Sequence, residues 1–478
     1  MQGNPFVAVY SRVRVANDTG HTVTVDPLAS PTLIPLNDSP DAISPHRAVD
    51  HDYVVASDRF ASSDPWPGVN ALRAAGSFNT HEAHMRAFWN AQLAAIAQID
   101  VPDRSLVDAD KSGFITTQLT RSGNDLNTGV NGYESEFSHD VVGILTTLFT
   151  QGSYNDARAL RGEARSVVGT PGQYVDGLCT YPVPWAVYLL KTGDKAFVAQ
   201  KFSTGGNGPT EPSIEEAAHA IAADRTGPMG TMEATNDIDT QGYWTTDDFV
   251  ALLGLAAYRY LASALGKTAE ASWASAQYGS LLAATDTVLT ATIDQGHLDY
   301  LPCSLVQPNS ANRCDNPEDA NWTSPIGNWA WEGSLFGAPV AGPGLTMIDA
   351  TYAYGFGPLR GRLPPDTTGG FPGAYYSSAY NAAQGAAGLA SRQHRDQGIV
   401  NLEFMLANSQ SGPLSWWESS SAPDPHSPRG RPPPVGGAGL IPTRLGNGAF
   451  RQGPARLARG AEVRRNPGGR SRGAARLA

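Results

Sequence analysis

Cysteine is scarce in this chain of 478 residues, and no apolar run is long enough to cross a bilayer. The three cysteines stand in no metal-ligand pattern, which argues against zinc ligation. Cys303 and Cys314 flank a loop rich in Pro, Asn and Ser whose ends can meet in a disulfide, leaving Cys179 single; the alternative is buried thiols in a reducing compartment. Met1-Gln2-Gly3-Asn4-Pro5 is not a basic segment leading into an apolar stretch, so no secretory signal is expected within this chain. Positive charge is also lacking over most of the length. Residues 429–478 hold eleven Arg against the single acid Glu462, a charge of +10, so residues 1–428 carry −21 of the chain's net −11. Such an acidic body argues against nucleic acid as a partner, because phosphate binding needs clustered Lys and Arg. The rest of the composition, 41% hydrophobic and 9% aromatic, is ordinary for a protein with a large core. The length suits two or three domains, or one helical barrel.

What the chain does contain begins with alternation. Val7-Ala8-Val9-Tyr10-Ser11-Arg12-Val13-Arg14-Val15, a turn at Asn17-Asp18-Thr19-Gly20, and Thr22-Val23-Thr24-Val25 read as a hairpin. A lone hairpin is unstable, so residues 1–60 are expected to be part of a β-domain. Helical periodicity takes over at 80–99, where Met85, Phe88, Trp89, Leu93 and Ile96 form a stripe. Similar stripes fall at 139–150, 182–191, 213–224, 246–265, 269–293, 376–391 and 394–408. Gly152, Gly193 and Gly266 each end a helix before a short connection, which is the pattern of an αα-hairpin. Short connections at one end and long loops at the other describe a ring of helical hairpins, with function on the long-loop face.

Residues 429–478 differ again, being built mostly from Arg, Gly, Pro and Ala without helical or strand period. They read either as a disordered basic arm or, preferably, as the product of a frame shift near Pro428 in a GC-rich gene. The scarcity of Lys beside Arg elsewhere agrees with the second reading.

Several short motifs carry chemistry. Asp108-Ala109-Asp110-Lys111-Ser112-Gly113-Phe114-Ile115 imitates a calcium-binding EF-hand loop, but Leu119 stands where the bidentate Glu belongs. The segment from Asp237 to Asp248 imitates it more loosely. His81-Glu82-Ala83-His84 lacks the zinc-protease spacing and reads as a helix start. Tyr133, Glu134, His139 and Asp140 precede an apolar helix, where they serve either as helix-start residues or as a polar rim for sugar hydroxyls. Asp237 and Asp239 lie near Trp244, and a carboxyl beside an indole is desolvated and held protonated, as a general acid must be. Glu233 competes for that role. Glu418, after Trp416 and Trp417, is the candidate base, and Trp329, Trp331 and Glu332 add further indole and carboxyl surface. Paired carboxyls among aromatic faces suit glycosidic bonds: one protonates the bridging oxygen while the other activates water.

Five motifs carry a resemblance to a known family: Tyr133-Glu134-Ser135-Glu136-Phe137-Ser138-His139-Asp140, Tyr181-Pro182-Val183-Pro184-Trp185-Ala186, Thr235-Asn236-Asp237-Ile238-Asp239, Trp329-Ala330-Trp331-Glu332-Gly333 and Ser415-Trp416-Trp417-Glu418-Ser419. Over roughly residues 78–428 the chain resembles the six-hairpin, (α/α)6-toroid glycosidases, which include glucoamylases and α-L-rhamnosidases, and in particular an actinobacterial-type secreted group. The resemblance implies a mainly α fold: a partial N-terminal β-sandwich at 1–60, an (α/α)6 toroid at 61–428 and the tail at 429–478. It implies an extracellular, usually inverting glycoside hydrolase without cofactor or metal. Glu418 would be the base and Asp237 or Asp239 the acid. The carbohydrate would be held by Tyr133, Glu134, His139, Asp140, Trp185, Trp244, Trp329, Trp331, Glu332 and Trp416. Similar proteins continue past the Trp-Glu loop into the last helix of the barrel, whereas this chain departs at Arg429. The periodicity gives about eleven helices, one short of twelve. The competing expectations are a carbohydrate-binding protein that has lost catalysis, or a polysaccharide lyase, which the acidic body disfavours. No membrane partner is expected, and oligomeric state is left open.

Overall fold

Strand pairing in the N-terminal residues is long-range rather than local. The computed structural model describes residues 6–28, 30, 33–58, 68–121, 123–129, 135–155, 176–203, 212–236, 241–306, 336, 347–353, 375–377, 385–391, 393–407, 410–412, 414–416 and 419–421. The chain divides into two compact units, Met1–Ala95 and Ile96–Ala478.

In the first unit, β1 (Phe6–Ala16) pairs antiparallel with β5 (Ala48–Asp58) along its whole length, and β3 (Ile34–Pro35) joins the other edge of β5. The strand β2 (Val23–Val25) pairs with β4 (Asp41–Ile43) in a separate sheet. The hairpin expected between residues 7–15 and 22–25 therefore does not form. Asn17 shows why: its buried amide donates to the carbonyls of His21 and Ile43, both at 2.8 Å, while its side-chain oxygen accepts from Thr19. These bonds turn the chain out of the first sheet and toward β4, leaving β1 for the equally long β5. Val54 and Leu72, packed against Ala8, Tyr10, Ile34 and Leu36, form a core of this unit.

Among its described residues the unit also holds two helices, α1 (Val69–Ala74) and α2 (Phe78–Ala94). Ser77 caps α2 by accepting from Thr80 N–H. The His81–His84 segment lies on α2, with His81 stacked on Tyr10 and Glu82 paired with Arg86.

The second unit is helical. Its first elements are α3 (Arg104–Thr120), α4 (Ser138–Gln151), α5 (Asp176–Thr180), α6 (Pro182–Thr192) and α7 (Lys195–Ser203). They are followed by α8 (Ile214–Ala223), α9 (Thr245–Ala264), α10 (Thr268–Gly296) and α11 (Arg395–Ala407). Further helical residues lie at 348–353 and 385–390. The glycine stops behave as their sequence suggests: Gly152, Gly193 and Gly266 have φ of 84°, 67° and 73°. After Gly152, Ser153 N–H reaches Leu148 O at 2.9 Å, and after Gly266, Lys267 N–H reaches Ala262 O at 2.8 Å, the long bond of a Schellman cap.

The calcium-like octet lies inside α3, where a continuous helix keeps its oxygens from converging on an ion. The helix expected over 376–391 is partly replaced: β6 (Tyr375–Ser377) pairs with β9 (Ser419–Ser421), and helix is described from residue 385. A second short ladder joins β7 (Gln410–Gly412) to β8 (Ser415–Trp416). Cys303 is disulfide-bonded and Cys179 is a buried thiol; Cys314 lies outside the described residues.

Packing follows the apolar faces. α4 rests on α6, α6 on α9, and α9 along α10. Phe149, Tyr181, Trp185, Tyr188 and Phe197 interlock, with ring centroids 5.1–6.2 Å apart for Phe149–Tyr188, Phe149–Trp185 and Trp185–Phe197. Offset aromatic contacts of this kind add about 1 kcal/mol each beyond area burial.

Candidate active site

Two of the sequence-selected loops spring from the same local device. Before α4, Thr128 N–H donates to Ser135 O at 2.9 Å. The Thr128 hydroxyl donates at 2.7 Å to Asp140, a buried carboxylate at the third position of α4. Before α9, Thr235 N–H donates to Gly242 O, also at 2.9 Å, and Gly242 N–H returns the bond. The Thr235 hydroxyl donates at 2.7 Å to Asp247, buried at the third position of α9. In both cases Asp stands twelve positions after Thr. An aromatic residue, Phe137 or Trp244, takes the N-cap position without a side-chain cap bond. The described residues of the two segments thus share one anchoring pattern, each ending on a helix N-terminus with a carboxylate in its first turn.

The first loop base carries a polar cluster. His139, partly exposed, has Nδ1 3.5 Å from Asp176 at the start of α5 and Nε2 3.7 Å from Asp140. Glu136 accepts from Leu126 N–H. A Cβ on Gly177 would lie 2.5 Å from Ser138, so α5 approaches α4 as closely as glycine permits. Sequence reasoning selected His139 and Asp140 and missed Asp176, Thr128 and Glu136's anchoring role. The repeated Thr-to-Asp spacing was the available signal for Thr128, Thr235 and Asp247. Asp176 has none, since only the fold brings it to His139.

The second loop base is anchored on both sides. The Trp244 indole Nε1–H donates to Thr235 O at 3.3 Å, and its ring covers Gly242, where a Cβ would meet it at 2.5 Å. Residues 302–305 run alongside: Thr245 N–H and hydroxyl bond Cys303 O and Pro302 O, and Leu305 N–H bonds Tyr243 O. Next in α9, Asp248 is fully buried. Desolvation pushes its pKa up to about 7, against the opposing hydrogen bonds of Thr285 and Met232 N–H and the charge of Arg225. The competitor Glu233 lies beside Asp224, whose pKa is raised by burial and then by the Glu233 charge.

The Trp-Glu loop is held by its first residue. Leu414 has φ of 54°, the left-handed region that a bulky side chain rarely adopts, and its carbonyl accepts from Ser112 of α3 at 2.9 Å. Trp416 lies on β8. Glu418, Asp237, Asp239, Tyr133, Glu134, Trp329, Trp331 and Glu332 lie outside the described residues. Trp185 and Trp244, expected to face sugar, are instead core residues at 0% and 1% exposure; helix packing and the Gly242 contact take up their ring faces. Among the described residues, one group of metal-type donors stands apart from these loops: Glu215, His219 and Glu270.

No family model matches the chain, and no curated protein matches it. Solved structures do. A glucoamylase from Saccharomycopsis fibuligera is similar over 75% of this chain and 96% of its own, at 9% identity and a TM-score of 0.51. A rhamnosidase from Klebsiella oxytoca is similar over 95% of this chain and 85% of its own, at 11% identity and a TM-score of 0.49. An unsaturated glucuronyl hydrolase specific for heparin covers 75% of this chain and 98% of its own, at 10% identity and a TM-score of 0.49. Identity this low speaks to fold alone. With its small N-terminal sheets set apart, the chain is mainly α and has the (α/α)6-toroid fold, in common with the glucoamylase.

Proposed function

We propose that this chain is a glycoside hydrolase that cleaves glycosidic bonds of an oligo- or polysaccharide by carboxylate acid/base catalysis. The observation that carries the reading is the paired backbone bonding of Thr235 with Gly242, the residues that bracket Asp237 and Asp239 in the sequence. A catalytic carboxyl must be held in a productive geometry, and a loop closed by paired backbone bonds and seated on a buried Thr–Asp pair supplies such a support. The left-handed Leu414 that opens the Trp-Glu loop is a second support, because backbone strain gathers at functional sites.

In this reading Asp237 or Asp239 protonates the leaving oxygen, and Glu418 removes a proton from the water that attacks the anomeric carbon with inversion. Such a pair would be separated by roughly 6.5–9.5 Å to admit the water. His139 and Asp176, both partly exposed, would offer hydrogen bonds to sugar hydroxyls, while the buried Asp140, expected to touch sugar, would instead hold His139 from behind. The enzyme would act outside the cell, where the disulfide at Cys303 persists.

The test is release of reducing sugar from a panel of α- and β-linked oligosaccharides, with Glu418→Gln, Asp237→Asn and Asp239→Asn alongside. Glu418→Gln and one of the two Asn variants should lose about 10²–10⁴ in rate with unchanged melting. Full activity in Glu418→Gln would sink the assignment. A product absorbing in the ultraviolet would indicate a lyase instead.

A further inference from the structure

The surface formed by α8 and α10 carries donor groups that the glycosidase reading does not use. Glu215 and His219 are one helical turn apart on α8, and so share a face. Glu270 stands in the first turn of α10. His219 Nε2 lies 2.9 Å from Glu270 Oε2. A ligand atom of each of the three residues lies within 4.8 Å of those of the other two.

We propose that Glu215, His219 and Glu270 bind a divalent transition cation of the zinc class, joining α8 to α10. Zinc accepts nitrogen and oxygen ligands at about 2.0–2.2 Å, which in a tetrahedron sets ligand atoms about 3.4 Å apart. To reach that spacing the 2.9 Å His219–Glu270 contact would open slightly, within a group whose ligand atoms already lie within 4.8 Å of one another. One imidazole with two carboxylates selects against calcium and magnesium, which prefer all-oxygen shells. A +2 ion would offset both carboxylates, which a single imidazolium cannot do.

Supporting groups already orient the donors. The Tyr258 hydroxyl donates at 2.7 Å to Oε2 of Glu270, the same oxygen that meets His219, and so fixes that carboxylate in place. The His219 ring is stacked on Trp273 with centroids 3.9 Å apart and planes 15° from parallel. The neighbouring ammonium of Lys267 is engaged by Ser203 Oγ at 3.0 Å and by the Phe202 ring. Tyr258 lies thirteen residues along α9 from Thr245, or about 20 Å of helix from the pinned loop. The ion would therefore brace the helical body rather than take part in the carboxylate chemistry.

The full, untagged chain, stripped with chelator, is titrated with zinc chloride by calorimetry and followed by thermal melting. One equivalent should bind with micromolar affinity and raise the melting temperature by several degrees. His219→Gln and Glu215→Gln should each weaken binding at least tenfold while keeping the metal-free melting temperature, and His297→Gln should bind like the parent. Cobalt(II) should give visible absorption bands that His219→Gln abolishes. Absence of binding up to millimolar zinc overturns the proposal, and so does binding that both triad variants leave intact. If His219→Gln does not fold, Glu215→Gln and the cobalt spectrum of the parent decide the matter.

Discussion

At the residue scale, Asp248 makes a statement about pH. A buried carboxyl whose pKa is raised from 3.8 to about 7 binds its proton more tightly in the folded chain than in the unfolded one. The stability from that proton is fully present below pH 3.8 and is lost as pH rises through about 7. Asp248→Asn has no proton to lose and keeps an oxygen for Thr285. Its melting temperature relative to the parent should therefore climb between pH 4 and pH 8, as paired thermal melts can read. A constant difference across that range would mean the Asp248 carboxyl titrates as it does in water. Neighbouring residues show what the sequence could and could not convey. Asp140 was legible because it stands beside His139 just before an apolar helix. Its bond to Thr128 and the matching Thr235–Asp247 bond were visible only as a spacing used twice. Trp244 was misread because an indole in an acidic loop has the same one-dimensional pattern whether it faces sugar or packs on Gly242.

At the element scale, helix positions were legible because a 3.6-residue stripe and a terminal glycine are local signals, and α4, α6, α8, α9 and α10 lie within a residue or a few of the expected spans. Strand pairing was not, because β1 closes on β5 across more than thirty residues and no local rule reports that partner. Two helix-interior glycines separate local preference from packing. A Cβ on Gly254 of α9 would lie 1.9 Å from the Cys179 carbonyl oxygen of α5, so α9 and α5 touch backbone to backbone. Gly254→Ala should lose about 1–3 kcal/mol or more by forcing the helices apart, although alanine is the better helix former. Gly279 of α10 has nothing within 4 Å, so Gly279→Ala should gain about 1 kcal/mol. Urea unfolding of the two variants should thus shift in opposite directions. A gain at Gly254 would refute the close crossing.

At the scale of the whole molecule, charge divides the chain more sharply than hydrophobicity does. Residues 1–428 carry −21 and residues 429–478 carry +10. The last fifty residues hold too few apolar side chains, with too many Arg, Gly and Pro, to bury a core of their own. If they contribute only charge, deleting 429–478 should leave the helical circular dichroism signal unchanged and strengthen retention on an anion exchanger. Attraction between tail and acidic body can add stability at low salt, but the screening length falls from about 10 Å at 0.1 M to about 3 Å at 1 M. Any melting difference between the full and shortened chains should therefore vanish in high salt. A difference that persists there would mean that apolar groups of the tail pack on the body, and that the basic segment belongs to the fold.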